Sequence, residues 1–175
     1  MGKRPEHATA VYAQQVKKLW PEIPVIMGGI EASLRRFAHY DYWENKLLPS
    51  ILEASNADLL VYGMGEQQVA EIADYLAGGA QISDMLYIRG TAYASKNKPD
   101  LQADEFVELP GFAEIKNKRE LFARAYKLQS HEQDPFYGKY VLQKGAKKYI
   151  VQNPPTYPLS QEEMDAIYDL DYMRD

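Results

Sequence analysis

Two short apolar runs, PVIMGG at 24–29 and ADLLVYGMGE at 57–66, constrain the fold of this chain more than any other feature. Neither alternates apolar with polar residues, as a strand with one wet face would. Continuous runs of this kind belong to strands covered on both faces, typically in a parallel sheet flanked by helices. Residues 8–20 place Val11, Tyr12, Val16, Leu19 and Trp20 at helical spacing before Pro21. Residues 42–54 read as helical with an interruption at Pro49, and EQQVAEIADYLAGG sets Val69, Ile72, Ala73 and Leu76 on one face with Gly78 at the C-terminal cap. The order helix–strand–helix–strand–helix predicts an α/β fold, a partial doubly wound (Rossmann-like) parallel sheet. Two strands make no stable open sheet, so the module is expected to lack strands at its N-terminus.

Beyond residue 80 the texture changes to a strand-rich connector with helices. MLYIRGTAYASKN and ADEFVELPG alternate like a hairpin, and Asn117 stands where it could cap a helix over about 118–132. KYVLQKGAKKYIVQN reads as a hairpin around Lys144-Gly145, PPTYPLS as a rigid extended connection, and Ser160 with Glu163 as a capping box for MDAIYDL. The expected division is 1–80 for the α/β module and 81–175 for the connector. The charge is uneven: residues 114–148 hold nine Lys/Arg against four Asp/Glu, and 160–175 six acids against Arg174. The simplest reading is solvated faces, or pairing of one segment with the other. A net charge of −5 argues against a nucleic-acid partner.

Chemistry is narrowed first by what is missing. The chain has no cysteine, which excludes disulfides, zinc thiolates and an iron–sulfur cluster ligated by its own residues. Its histidines, His7, His39 and His131, are far apart and give no paired metal spacing, so no metal site is expected. No window is long and apolar enough for a membrane span, and MGKRPEHATAV is not a signal peptide, which makes the cytoplasm the default location.

What remains clusters at the predicted carboxyl ends of the two strands, where open α/β sheets bind ligands. Gly28-Gly29 and Gly63-Met64-Gly65-Glu66 could hold an anion through backbone N–H groups, or supply only the positive φ of tight turns. Gly63-x-Gly65 lacks the third glycine of a dinucleotide fingerprint. Arg35 and Arg36, following Glu31 and Ser33, could grip a phosphate or carboxylate, or pair with Glu31 and Asp41. His39-Tyr40-Asp41-Tyr42-Trp43 suits an interface or a packed corner better than direct chemistry. His39 and Asp41 at i, i+2 would need a third ligand to hold a metal, and the sequence shows none.

GGIEASLRRFAHYDYW, then ADLLVYGMGE, then SQEEMDAIYDLDYMR, in that order, resemble the N-terminal region of the YgiQ-type radical SAM proteins over nearly the whole chain. The strand ending in GG and the strand ending in GxGE are similar to the cobalamin-binding-like domain that precedes many radical SAM cores. The resemblance implies a parent enzyme, an iron–sulfur oxidoreductase that cleaves S-adenosylmethionine with a [4Fe–4S] cluster held by CxxxCxxC. That loop is absent here, so this chain is expected to be an accessory fragment whose partner is the radical SAM core of the same polypeptide and whose substrate is unknown. No histidine follows an Asp-x spacing, which argues against a histidine-ligated corrinoid. The rival reading is a non-catalytic small-ligand or cobalamin-binding module, and a third is a pure interaction domain. An incomplete sheet also predicts an exposed edge and a homodimer formed by strand pairing.

Overall fold

The structure, a computed structural model, describes residues 6–171 and residue 173. Its strands are β1 (Ile26–Met27), β2 (His39–Asp41), β3 (Lys46–Leu48), β4 (Leu59–Val61), β5 (Thr91–Ser95), β6 (Phe106–Leu109), β7 (Tyr140–Lys144) and β8 (Tyr149–Gln152). The helices are α1 (Ala8–Leu19), α2 (Gly29–Leu34), α3 (Ile51–Ser55), α4 (Glu66–Ala77), α5 (Phe112–Asn117), α6 (Arg119–His131) and α7 (Gln161–Tyr168), with a 3₁₀ turn at Ile82–Met85. One sheet runs in the order β1-β4-β5-β8-β7-β6, and β2 and β3 form a separate hairpin.

The α/β class read from the sequence stands, and the two continuous apolar runs are adjacent parallel strands, with Ile26 opposite Leu59 and Met27 opposite Leu60. Leu59, Leu60 and Val61 are all buried because the sheet is covered on both faces. Leu60 points to a core built with Ala10, Ala13, Ala32, Ile51, Leu52, Ile115 and Ala125. Leu59 and Val61 point the other way, against Ile72, Met85 and Ile88.

The sheet is mixed rather than parallel. β5 joins β4 antiparallel, β8 joins β5 antiparallel, and β7 continues antiparallel to β8 before β6 closes the edge parallel to β7. The strands that a two-stranded module needs are supplied from the chain's second half, and pairing of Leu60 with Ala92 carries the sheet across residue 80. The two free edges are short: β1 has 2 residues, and β6 carries Glu108 in an ion pair with Lys98. Short and charged edges resist pairing with a second chain.

Several local expectations need correction. Residues 42–48 are not helical. The Asp41 carboxylate accepts the Glu44 N–H at 2.8 Å and Asn45 takes a positive φ of 49°, which folds HYDYWENKLL into the β2–β3 hairpin. Helix resumes only after Pro49, where the Ser50 hydroxyl accepts the Leu52 N–H. MLYIRGTAYASKN and ADEFVELPG do not pair with each other, since their strands lie at different places in the sheet. The helix expected over 118–132 forms as α6, but Asn117 ends α5 by donating to the Ala113 carbonyl and does not cap α6.

Two helices also turn a different face inward. α1 buries Ala10 and Ala13 while Tyr12, Leu19 and Trp20 stay exposed, and α4 buries Gln68 beside Ile72 while Val69 is exposed. The hairpin at Lys144-Gly145 and the Ser160–Glu163 capping box form as read. No described helix is long and apolar enough to cross a membrane.

The β7–β8 turn is held from outside by one carboxylate. Glu53 of α3 accepts the N–H groups of Ala146, Lys147 and Lys148 at 2.9, 2.7 and 2.7 Å, so it ties the helical layer to the far strands. Glu53→Ala leaves those donors to water and is expected to lower stability by about 1.5 kcal/mol, a value in the range for bonds to a charged acceptor. A urea midpoint that shifts without a change in slope would show it; an unchanged midpoint would mean the turn holds itself.

Candidate functional site

The carboxyl ends of β1 and β4 lie side by side because the strands are paired and parallel. β8 runs in the same direction, so its end at Gln152 reaches the same edge of the sheet. The glycines here have steric reasons. Gly29 and Gly63 have φ of 80° and 75°, and a Cβ on Gly65 would stand 2.5 Å from Val61 Cγ1. Gly28 caps α2 from an extended conformation, and Glu66 opens α4, exposed.

Arg36 joins this edge. It lies just past α2 and is only 7% exposed, with its guanidinium 4.8 Å from the Tyr62 ring centre and 5.9 Å from that of Phe37. Nε donates to Gln152 Oε1 at 2.7 Å and Nη1 to the carbonyl of Ser33. Ser33 thus contributes its backbone. Burial pushes the Tyr62 phenol well above its usual range, so it stays neutral and donates to the Asn153 carbonyl at 2.6 Å.

Arg35, the neighbouring residue, belongs to a different group. It is 3.2 Å from Asp41 Oδ2 and 3.5 Å from Glu31 Oε1, and it contacts His7 Nδ1. A guanidinium only donates, so His7 Nδ1 accepts and its Nε2–H faces Glu44 Oε1 at 3.3 Å. Thr9 Oγ1 donates to Glu31 Oε2 at 2.7 Å, which closes the network onto α1. A cavity of about 250 Å³ adjoins it, with His7, Arg35, His39 and Glu44 in its wall.

His7, Asp41 and Glu44 present ligand atoms within 4.8 Å of one another. His7 is therefore the third donor missing from the sequence reading, and His39 is not in the set. Arg35 already lies against Asp41 and His7, so the group carries its own cation and fits a metal ion poorly. Nitrogen and oxygen donors, with no cysteine in the chain, do not fit a [4Fe–4S] cluster either.

The sequence-predicted residues thus separate into two groups and a projecting tip. Gly28, Gly29, Arg36, Gly63, Gly65 and Glu66 share the strand-end edge, whereas Glu31, Arg35, His39 and Asp41 gather around His7. Tyr40, Tyr42 and Trp43 stand out from the β2–β3 hairpin, all exposed, with Tyr42 and Trp43 edge to face at 5.6 Å. His7, Tyr62 and Gln152 were not singled out from the sequence. No local spacing marks them, because each meets its partner only through the fold.

With this geometry in place, the comparisons identify the family: a model described as radical SAM N-terminal matches residues 1–175. The chain belongs to the radical SAM N-terminal family. A UPF0313 protein of Clostridium botulinum is 48% identical over 173 residues, which are 99% of this chain and 26% of that protein. A UPF0313 protein of Thermotoga neapolitana is 48% identical over 174 residues, 30% of its length, and one of Methanocella arvoryzae 47% over 171 residues, 28% of its length. The chain therefore spans about a quarter to a third of these family members. No solved structure matches it.

The titrations of this region set a pH dependence. The Glu44 N–H first, then His7 and Arg35, hold the Asp41 carboxyl below its ordinary range against its burial, while burial lowers the His39 imidazole. Stability from Asp41 is present above about pH 3.9 and is lost as pH falls through its depressed folded value. Stability tied to neutral His39 is full above about pH 6.5 and declines below it. Urea midpoints should fall on acidification in an upper and a lower limb, and Asp41→Asn should shrink the lower limb alone. An unaltered acid limb in that variant would remove Asp41 from the network's electrostatics.

Proposed function

We propose that this chain is the accessory N-terminal domain of a radical SAM iron–sulfur enzyme and that its strand-end face docks on the catalytic part of the same polypeptide. The observation that carries this is an uncovered apolar surface on that face. Ile30 and Leu34, one turn apart on α2, are 79% and 72% exposed, with Met64 of the second glycine turn 52% exposed. A groove of about 750 Å³ between α4 and α7 adds Val69, Ala166, Ile167 and Leu170. Surfaces of this kind mark contacts with other protein. Family members extend over a length three to four times that of this chain, which supports the reading that their remaining segments include the occupant.

Without cysteines, the cluster that such a parent uses must take its thiolates from those segments. The residues here would cover substrate or fix the angle between the two parts. The closing part of the tail motif, with Tyr172 and Arg174, lies outside the described residues.

The test uses a full-length family member. After anaerobic iron reconstitution it should show cluster absorbance and release 5′-deoxyadenosine from S-adenosylmethionine; absence of both would reject the enzyme reading. Ile30→Glu with Leu34→Glu should leave the 175-residue chain within about 0.5 kcal/mol of its original stability, as surface changes do. In the long protein the same pair should raise hydrogen exchange across α2 and α4. Equal exchange in the two long proteins would reject the docking face.

A further inference from the structure

Arg36 is a buried cation at the strand-end edge whose bonding is incomplete. Its two hydrogen bonds go to neutral acceptors, Gln152 Oε1 and the Ser33 carbonyl, and Nη2 makes none. Among the described residues no carboxylate lies within 4.0 Å of it, whereas Arg35 beside it has two. Tyr62 is held in its neutral form and is no counter-ion. A second anomaly adjoins the first. Gln152 is fully buried, and with its oxygen turned to Arg36 its Nε2 lies near the Tyr62 hydroxyl without making a hydrogen bond of normal geometry. Exchanging the amide's ends would set a donor against the Arg36 Nε–H, so the orientation follows from the chemistry.

A buried cation and a buried N–H donor, both short of acceptors, stand together where α/β sheets bind ligands. We infer that Arg36 and Gln152 form a subsite for one anionic group, a carboxylate or a phosphate, that enters beside α2 and takes the free Arg36 Nη2 and the Gln152 amide. The opening is small, since Arg36 keeps 7% of its surface, so the subsite suits the charged tip of a ligand rather than its body. Two sources share this chemistry: a small anionic ligand, or an acidic side chain from the rest of a long family member. The first is independent of the docking proposed above; the second rests on it.

Arg36 Nε–H is the reporter, read by nitrogen–proton correlation spectra. Inorganic phosphate and acetate are titrated at constant ionic strength into the 175-residue chain and into a full-length family member. A saturable shift of that signal and of the Gln152 side-chain amide in the short chain, unaffected by Lys127→Met, with the Gln152 shift needing roughly tenfold or more anion in Arg36→Lys, identifies a free anion; the factor is the usual scale of one charge-assisted hydrogen bond. No shift with either anion in the short chain, together with a displaced, slowly exchanging Arg36 signal in the long protein, identifies an internal carboxylate. Arg36→Met separates the roles further. A site cation without a counter-ion is replaced by an apolar side chain at little or no loss in the short chain's urea midpoint. A large loss of midpoint, with no anion-dependent shift and the same Arg36 signal in both chains, would make Arg36 a structural residue and overturn the inference. If Arg36→Met fails to fold, the unsubstituted titrations decide alone: no shift and no difference between the chains overturns it.

Discussion

The side-chain amide of Asn153 joins the two halves of the sheet. Its Nδ2 lies 2.7, 2.8 and 2.8 Å from the carbonyls of Leu86 and Ile88 and from Thr91 Oγ1 and shares its two N–H groups among them, while its backbone N–H donates to the Thr91 carbonyl. Its own carbonyl accepts the Tyr62 hydroxyl. One fully buried residue thereby fixes the end of β8, the start of β5, the 3₁₀ turn and the end of β4. In a low-dielectric interior each of these bonds is strengthened, and only the side-chain oxygen of Asn153 is left without a partner. The strand-end edge follows from it: Gln152 precedes Asn153, Tyr62 lies against it, and Arg36 rests on both Gln152 and Tyr62.

Arg35 and Arg36 show how one step along the chain changes the meaning of a residue type. Arg35 closes a network in which Glu31, Asp41 and Glu44 face one guanidinium, His7 and Lys46, so its charge is answered locally. That network joins the start of α1 to α2 and to the β2–β3 hairpin, and it explains His7 in a left-handed conformation with φ 57°. Arg36 points into the sheet edge, where burial lowers its pKa. The sequence leaves the two arginines open as a joint anion grip or as partners of Glu31 and Asp41; Arg35 takes those two carboxylates, and Arg36 has none within 4.0 Å among the described residues.

The sequence was most legible where a local pattern and the tertiary demand coincide. LLV buried on both faces, Ser160 with Glu163 capping α7, and the turn after Lys144 could all be read from neighbours a few positions apart. It was least legible where small residues or long-range partners decide. Ala10 and Ala13 allow α1 to approach α3 closely, so the larger Tyr12, Leu19 and Trp20 lose the core face they seemed to mark. Gln68 turns inward because its Nε2 reaches Thr156 Oγ1, 88 positions away. The hairpin at 39–48 hid behind a weak helical pattern, because one Asx turn at Asp41 and one left-handed Asn45 outweigh it. For the site, the glycine turns and Arg36 were visible, but the Arg36–Gln152 contact spans 116 positions and has no local trace.

The glycines at the strand ends illustrate how a structural cause redirects a functional argument. Gly29 and Gly63 satisfy backbone angles and Gly65 avoids Val61 Cγ1, so their presence is explained without any ligand. The same explanation does not extend to their neighbours. Ile30, Leu34 and Met64 expose apolar side chains to water, and Arg36 holds a charge away from it without a counter-ion. Each is unfavourable or idle in the isolated chain, and they lie on one edge of one sheet. Turn geometry requires glycine at these positions; it does not require an apolar rim or an unpaired guanidinium. Those features are accounted for when another surface covers the rim and brings an anion to Arg36.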